Sequence, residues 1–239
     1  MTKHLLLTAT AAVALALSAY GTQAVADDFT VSNVAMTVSN ADTGYIANAA
    51  TLPDTEALGP IDVYLGQITF TGVLDGSPAT IPAWCIDLYH EIDLGAGTYN
   101  YAVGSITTNN AIPIPTNLTQ TQISEMAGLI VAGDAVVAAN PTNADWSAAY
   151  QLAIWRVEYG STFTVTGEPA GALADFNTLM GIVTTFSGSA GALDALNGQQ
   201  GFASAYVTGG LPLPTPEPAS LALLGAGLAG LGWARRRRA

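Results

Sequence analysis

Alternation of apolar and polar residues marks the first part of the chain as strands. Phe29 to Val38 and Ile61 to Leu74 repeat every second residue and are rich in Val, Ile and Thr, the pattern of a strand with one face in a core and the other in water. Asp75-Gly76 follows as a turn, and Ile81 to Leu88 and Thr98 to Val103 predict further strands. Past a loop from Asn109 to Asn117 the period lengthens. Ile123, Met126, Leu129 and Ile130 share one face of a helix that Thr119 or Thr121 caps and that runs to about Ala139. Asn140-Pro141 breaks it. Trp146, Ala149, Ala153 and Val157 recur at helical spacing over Ala144 to Tyr159, with Gly160 as the stop. A strand over Thr162 to Thr166, one or two short helices in a Gly/Ala/Ser-rich stretch, and a last strand near Phe202 to Thr208 complete the pattern. The expected class is α+β, a β-sandwich-like sheet region with a helical insertion.

Both ends of the chain carry apolar runs of a different kind. Lys3 and His4, the apolar stretch Leu5 to Leu17, and the small-x-small sequence Ala24-Val25-Ala26 predict a signal peptide over residues 1–26, cut after Ala26 by signal peptidase so that the mature chain begins at Asp27. At the other end a proline-rich linker, residues 211–218, is unable to hold a helix or a central strand. It closes on Pro216-Glu217-Pro218 and leads into the apolar run Ala219 to Ala234 and the block Arg235-Arg236-Arg237-Arg238. The extended prolines stay outside the bilayer, the apolar run enters lipid, and the arginines resist translocation. As a helix that run is about 24 Å long, against about 30 Å of bilayer hydrocarbon. The working domain is then 27–210, with 219–239 as a transmembrane helix and cytoplasmic tail. This tripartite tail resembles the PEP-CTERM sorting signal of Gram-negative bacteria. The resemblance implies an exosortase partner that cuts near Pro216 to Pro218, a transient anchor in the inner membrane, and release to the cell surface or extracellular matrix.

Charge narrows the partners. The chain holds Lys+Arg 6 and Asp+Glu 18, for a net charge of −12. Lys3 and the four terminal arginines lie in the two addresses, which leaves Arg156 as the only basic residue of the domain apart from histidine. Such a surface repels phosphate backbones, excluding nucleic acid, and no Walker-type lysine exists. No cofactor or metal is expected. Asp87, Glu91 and Asp93 lack the spacing of an acidic calcium loop, and a single histidine inside the domain, His90, leaves a serine hydrolase without a choice of base.

The chemistry turns on the single cysteine. Cys85 is bound for an oxidising compartment and has no cysteine partner in its own chain, so it is either a buried, inert thiol or a reactive one. Its neighbourhood, Trp84-Cys85-Ile86-Asp87, and the segment Tyr150-Gln151-Leu152-Ala153-Ile154-Trp155 together resemble the paired motifs of the bacterial thioester-forming surface domains. The resemblance spans residues 60–165. It departs at Tyr150, where that family often has Thr, and at Arg156, where acidic or polar residues are common. It implies that the Cys85 sulfur and the Gln151 side chain condense to an internal thioester with loss of ammonia, on an early strand and a later helix. The target implied is an amine on another surface, and a domain without lysine does not consume its own thioester.

Such a bond makes demands of its own. A carboxamide is a poor acyl donor, so attack needs near-attack placement, proton transfer and oxyanion stabilisation. Asp87, His90 and Glu91 are the nearest candidates for proton transfer, with His90 as the candidate base. Trp84, Tyr150 and Trp155 are placed to exclude water or simply to fill the core. Two functions compete on this evidence. One is a single-turnover adhesin that couples covalently to an amine-bearing surface. The other is a structural or exopolysaccharide-associated matrix protein in which Cys85 and Gln151 only pack. Neither is an enzyme in the turnover sense.

Overall fold

The computed structural model describes residues 28–38, 43–45, 62–107, 117–161, 163–196 and 200–207. The expected signal peptide with Ala24 and Ala26, the linker, and the sorting motif with Pro216, Glu217, Pro218 and Arg235 to Arg238 lie outside the described residues.

Among the described residues, eight strands and three α-helices make a mixed α+β domain. In chain order they are β1 (Asp28–Met36), β2 (Thr43–Tyr45), β3 (Asp62–Tyr64), β4 (Ile68–Leu74), β5 (Ser77–Cys85), β6 (Gly95–Ser105), α1 (Gln120–Ala139), α2 (Ala144–Tyr159), α3 (Ala170–Ile182), a 3₁₀ turn (Val183–Thr185), β7 (Gly191–Ala195) and β8 (Phe202–Ser204). Six strands close in the order β1-β4-β5-β8-β7-β6, and β2 and β3 form a separate pair. This corrects the sandwich-like expectation. β6 pairs with β1 on one side and β7 on the other, so the described sheet curls onto itself as a closed antiparallel barrel.

Alternation places the barrel core. In β1, Phe29 and Val31 point inward, a bulge between Val31 and Asn33 shifts the register, and Val34 resumes the inward face. Gly72 sits opposite that bulge because a Cβ there would lie 2.1 Å from Thr30 O. Inside, Phe70 packs at ring distances of 4.9 Å from Phe202 and 5.5 Å from Tyr101. Asp75-Gly76 forms the predicted turn of the β4–β5 hairpin, with φ of 48° and 79° and Leu74 opposite Ser77.

The predicted strand Ile61 to Leu74 is two strands, parted at Gly66, whose φ of +136° suits glycine alone. Ile81 to Leu88 also differs from prediction, because β5 starts earlier and stops at Cys85, after which the chain leaves the sheet. Of the predicted strand Thr162 to Thr166, Thr162 lies outside the described residues, Phe163 to Val165 are irregular, and Thr166 makes only an isolated bridge.

Both long helices follow their predicted limits. Thr119 caps α1 in a reciprocal box with Gln122, and Asn143 caps α2 by accepting the Trp146 N–H at 3.2 Å. α2 ends at Gly160, φ 82°, and Arg156 donates to Ser161 O and, at 2.8 Å, to Phe163 O, so the domain's lone arginine holds the chain beyond the helix. α2 is buried on nearly every side. One stripe, Ala148, Leu152, Trp155 and Tyr159, joins the barrel core. The opposite stripe, Ala149, Tyr150, Ala153 and Val157, joins α1 and the outer faces of β5, β7 and β8. α2 is therefore the wall between two cores, and Gln151 lies on it.

Candidate functional site

Strand alternation at the end of β5 sends Trp84 outward to the helices and Cys85 inward to the barrel core. β4 begins at Ile68, opposite Ala83, while β8 pairs with Trp84 and Cys85 from the other side. The backbone of Cys85 would thus lack a strand partner on the β4 side. Gln151 takes that place. Its Oε1 accepts the Cys85 N–H at 3.0 Å and its Nε2 donates to Cys85 O at 2.8 Å. A side-chain amide here imitates one residue of a β-ladder, with Gln151 fully buried. The two residues singled out by the sequence motifs are brought together, the carboxamide lying against the backbone of the cysteine.

The thiol itself turns toward Asp87. Sγ donates to Asp87 O at 3.2 Å and accepts the Asp87 N–H at 3.4 Å. Burial pushes the Cys85 pKa well up, opposed first by the backbone hydrogen bond with Asp87; the nearby Asp87 and Glu158 carboxyl groups push it further up, and the Trp155 indole pulls it down least. The resting group is a neutral thiol. The Trp155 N–H has no hydrogen-bond partner of full geometry although Trp155 is 1% exposed.

Asp87 organises the turn that follows β5. Its carboxylate accepts Tyr89 N–H at 2.9 Å and Gly201 N–H at 3.3 Å, and pairs with His90 Nδ1 at 2.6 Å. Its carbonyl accepts from Gln200 Nε2 at 2.8 Å. The Tyr159 hydroxyl accepts Leu88 N–H at 3.2 Å and donates to Ile86 O at 3.3 Å, fixing the same turn to α2. His90 is therefore engaged with Asp87, and no hydrogen bond joins it to the Cys85 thiol. A cavity of about 360 Å³ opens beside this turn. Cys85 and Trp155 line it along with Tyr64, His90, Glu91 and Gln200, so the thiol has a route to solvent.

One member of the cluster was not singled out in the sequence. Glu158 is 3% exposed, neither of its carboxyl oxygens has a hydrogen-bond partner, and burial, with Asp87 adding to it, raises its pKa well above the usual carboxylate range. The signal was present: an acidic residue two turns after Gln151 in a helix otherwise apolar on that side.

Comparison with known proteins speaks to the tail. Residues 214–238 match the PEP-CTERM protein-sorting motif family, which supports sorting by an exosortase and export to the cell envelope or surface. No curated protein and no solved structure matches the chain.

Proposed function

We propose that this exosortase-sorted envelope protein is a single-turnover covalent adhesin, in which Cys85 and Gln151 condense to an internal thioester that an amine on another surface later opens. The observation that carries the reading is the paired hydrogen bonding of the buried Gln151 carboxamide to the Cys85 backbone. That pairing fixes the acyl group beside the cysteine, supplying the proximity a weak acyl donor needs. The Cys85 N–H already points at Oε1, the oxygen on which negative charge develops during attack, so a backbone donor of oxyanion type is in place. Rotation of the thiol from Asp87 O toward the carboxamide is the movement the reaction requires. The cavity then offers an incoming amine a path to the bond.

The alternative is a non-catalytic structural or polysaccharide-associated matrix protein, and one observation favours it. The thiol is hydrogen-bonded to Asp87 and held neutral by burial, as an inert packing cysteine would be. Intact mass separates the two. Mature protein purified mildly without amines should weigh one ammonia less than its sequence, resist alkylation while native, and take up methylamine at Gln151 with release of a titratable thiol at Cys85. A full sequence mass with an alkylatable Cys85 would leave the matrix reading. The same spectrum tests the addresses: an N-terminus at Asp27 and no Arg235 to Arg238 are expected, and recovery of the arginine block from surface protein would overturn cleavage.

A further inference from the structure

We propose that the amine this cavity selects is a polyamine: an aliphatic chain with a primary amine at one end and a second positive charge further along. The proposal rests on the thioester reading above and names the chemistry of its target. Burial grades the cavity of about 360 Å³ from one end to the other. Its inner end holds the buried side chains of Cys85, Trp155 and Phe202, and Ile68 and Leu88, also buried, continue it as apolar wall. Its mouth is acidic. Glu91 and Asp93 stand there exposed, beside the exposed Tyr64 and Leu94. Among the described residues no lysine or arginine lines the cavity, and Arg156 is held by Ser161 O and Phe163 O. An apolar throat under an acidic lip fits an aliphatic stem with a cation at its outer end.

The inner end carries an independent signal. The Trp155 N–H has no hydrogen-bond partner of full geometry although Trp155 is 1% exposed, and a buried donor in that state calls for an acceptor from outside. Trp155 follows Gln151 by one turn of α2, so its side chain is the neighbour of the acyl group on the helix surface. A saccharide brings acceptors, but most of its hydroxyls would meet aliphatic walls. A free amine brings one lone pair for the indole N–H, and ammonium brings none. The throat therefore admits nitrogen as the free amine. That requirement decides the rest of the molecule. A neutral attacking group gains nothing from the carboxylates at the mouth, so only an amine with a second, still protonated group is drawn to Glu91 and Asp93 while its free end goes in. The amine nitrogen then attacks the carbonyl carbon contributed by Gln151, the C–S bond breaks as the C–N bond forms, and one amine proton ends on the Cys85 sulfur.

The test uses the full mature chain, purified without amines, and follows adduct formation by intact mass at one pH and low salt. Three probes share one stem and differ only at the far end: 1,5-diaminopentane is positive there, 5-aminopentanol neutral and 5-aminopentanoate negative. Per unprotonated amino group, the diamine should open the thioester about tenfold faster than the alcohol, with the pentanoate slowest. Nα-acetyl-lysinamide, an aliphatic amine without a second charge, should follow the alcohol. In the double variant Glu91→Gln/Asp93→Asn the diamine-to-alcohol ratio should fall toward one, and a ratio cancels any effect of the substitutions on chemistry common to all amines. High salt should lower the same ratio in wild type by screening, which decides even if the variant does not fold. Equal rates for the three probes, a lysinamide as fast as the diamine, or a ratio that survives both the substitutions and salt would overturn the polyamine assignment and leave the thioester standing. No adduct with any amine, methylamine included, would overturn the thioester reading and this inference with it.

Discussion

The two sides of β5 carry two buried polar clusters that differ in one respect. On the outer side, Asp134 of α1 accepts from Gln67 Nε2 at 2.6 Å and from Trp84 Nε1 at 2.8 Å, both on Oδ1, and leaves Oδ2 unpartnered. On the inner side, Gln151 satisfies both polar groups of one residue's backbone and is itself satisfied. The outer cluster joins side chains to a charge that burial disfavours. The inner one joins a neutral amide to the backbone, which any cysteine or alanine at position 85 would also offer. A polar contact to the backbone is thus indifferent to the side chain beside it, and what makes position 85 special must be the sulfur.

That difference makes the largest prediction a contrast of two substitutions. If the residues only pack, Gln151→Ala strips the partner from a buried N–H and a buried C=O, at about 1–3 kcal/mol each, whereas in a linked protein the amide nitrogen has already left and the substitution removes the cross-link instead. Cys85→Ala keeps those bonds. If the residues only pack, it costs about 1 kcal/mol. If they are linked, it also removes a cross-link spanning 66 residues, worth about 4 kcal/mol on the chain-entropy scale used for disulfides. Urea unfolding of both variants measures the costs. A loss near 1 kcal/mol for Cys85→Ala would weigh against the bond independently of any mass spectrum.

The outer cluster gives the next effect. Asp134→Ala leaves Gln67 Nε2 and Trp84 Nε1 buried without their acceptor, and a loss of about 2–4 kcal/mol is expected in thermal or urea unfolding. A loss below about 1 kcal/mol would mean that water enters and replaces the carboxylate.

Asp134→Asn turns the same site into a pH measurement. Burial raises the Asp134 pKa from 3.8 to about 6, against the opposing bonds from Trp84 and Gln67. The folded state then holds a proton that the unfolded state has lost between those values, so stability is greatest below the window and falls as pH rises through it. Asparagine keeps the oxygen that accepts both donors and carries no charge. It should be more stable than wild type by about 1–2 kcal/mol at pH 8, with the gap closing toward pH 4. Because Glu158 contributes a slope of the same sign, only the difference between the two proteins reports Asp134. A gap that does not change between pH 4 and 8 would contradict the raised pKa.

How far the sequence disclosed this arrangement depended on whether the signal was local. α2 was legible to the residue because its apolar spacing, Asn143 and Gly160 are all written within it. Cys85 and Gln151 were legible as motifs, each with aromatic neighbours. β7, Gly-Ala-Leu-Asp-Ala, was read as part of a helical stretch, since nothing in those residues prefers a strand and only pairing with β6 and β8 makes one. Barrel closure was hidden for the same reason, being set by which distant edges meet. The role of Asp87 in anchoring its turn was likewise invisible, because its partner Gly201 N–H comes from a remote loop. β5 starts at Ser77, four residues before the expected Ile81, and tolerates prolines at 78 and 82, with Ser204 Oγ donating to Pro82 O at 2.7 Å.

The smallest effect belongs to His90, a candidate base on the sequence alone. It is partly exposed at 21% of its side chain, and its contact is the carboxylate of Asp87. Asp87 does not depend on it, since the N–H groups of Tyr89 and Gly201 remain on the two carboxylate oxygens if the imidazole is removed. His90→Ala should therefore cost no more than about 1 kcal/mol in thermal unfolding, the range of a solvent-screened pair. Native-state hydrogen exchange at Tyr89 and Gly201 should stay close to wild type, because both amides keep their acceptor. A larger loss, with fast exchange at those two amides, would show that the imidazole holds the turn and that Cys85 owes its placement to the pair at its back.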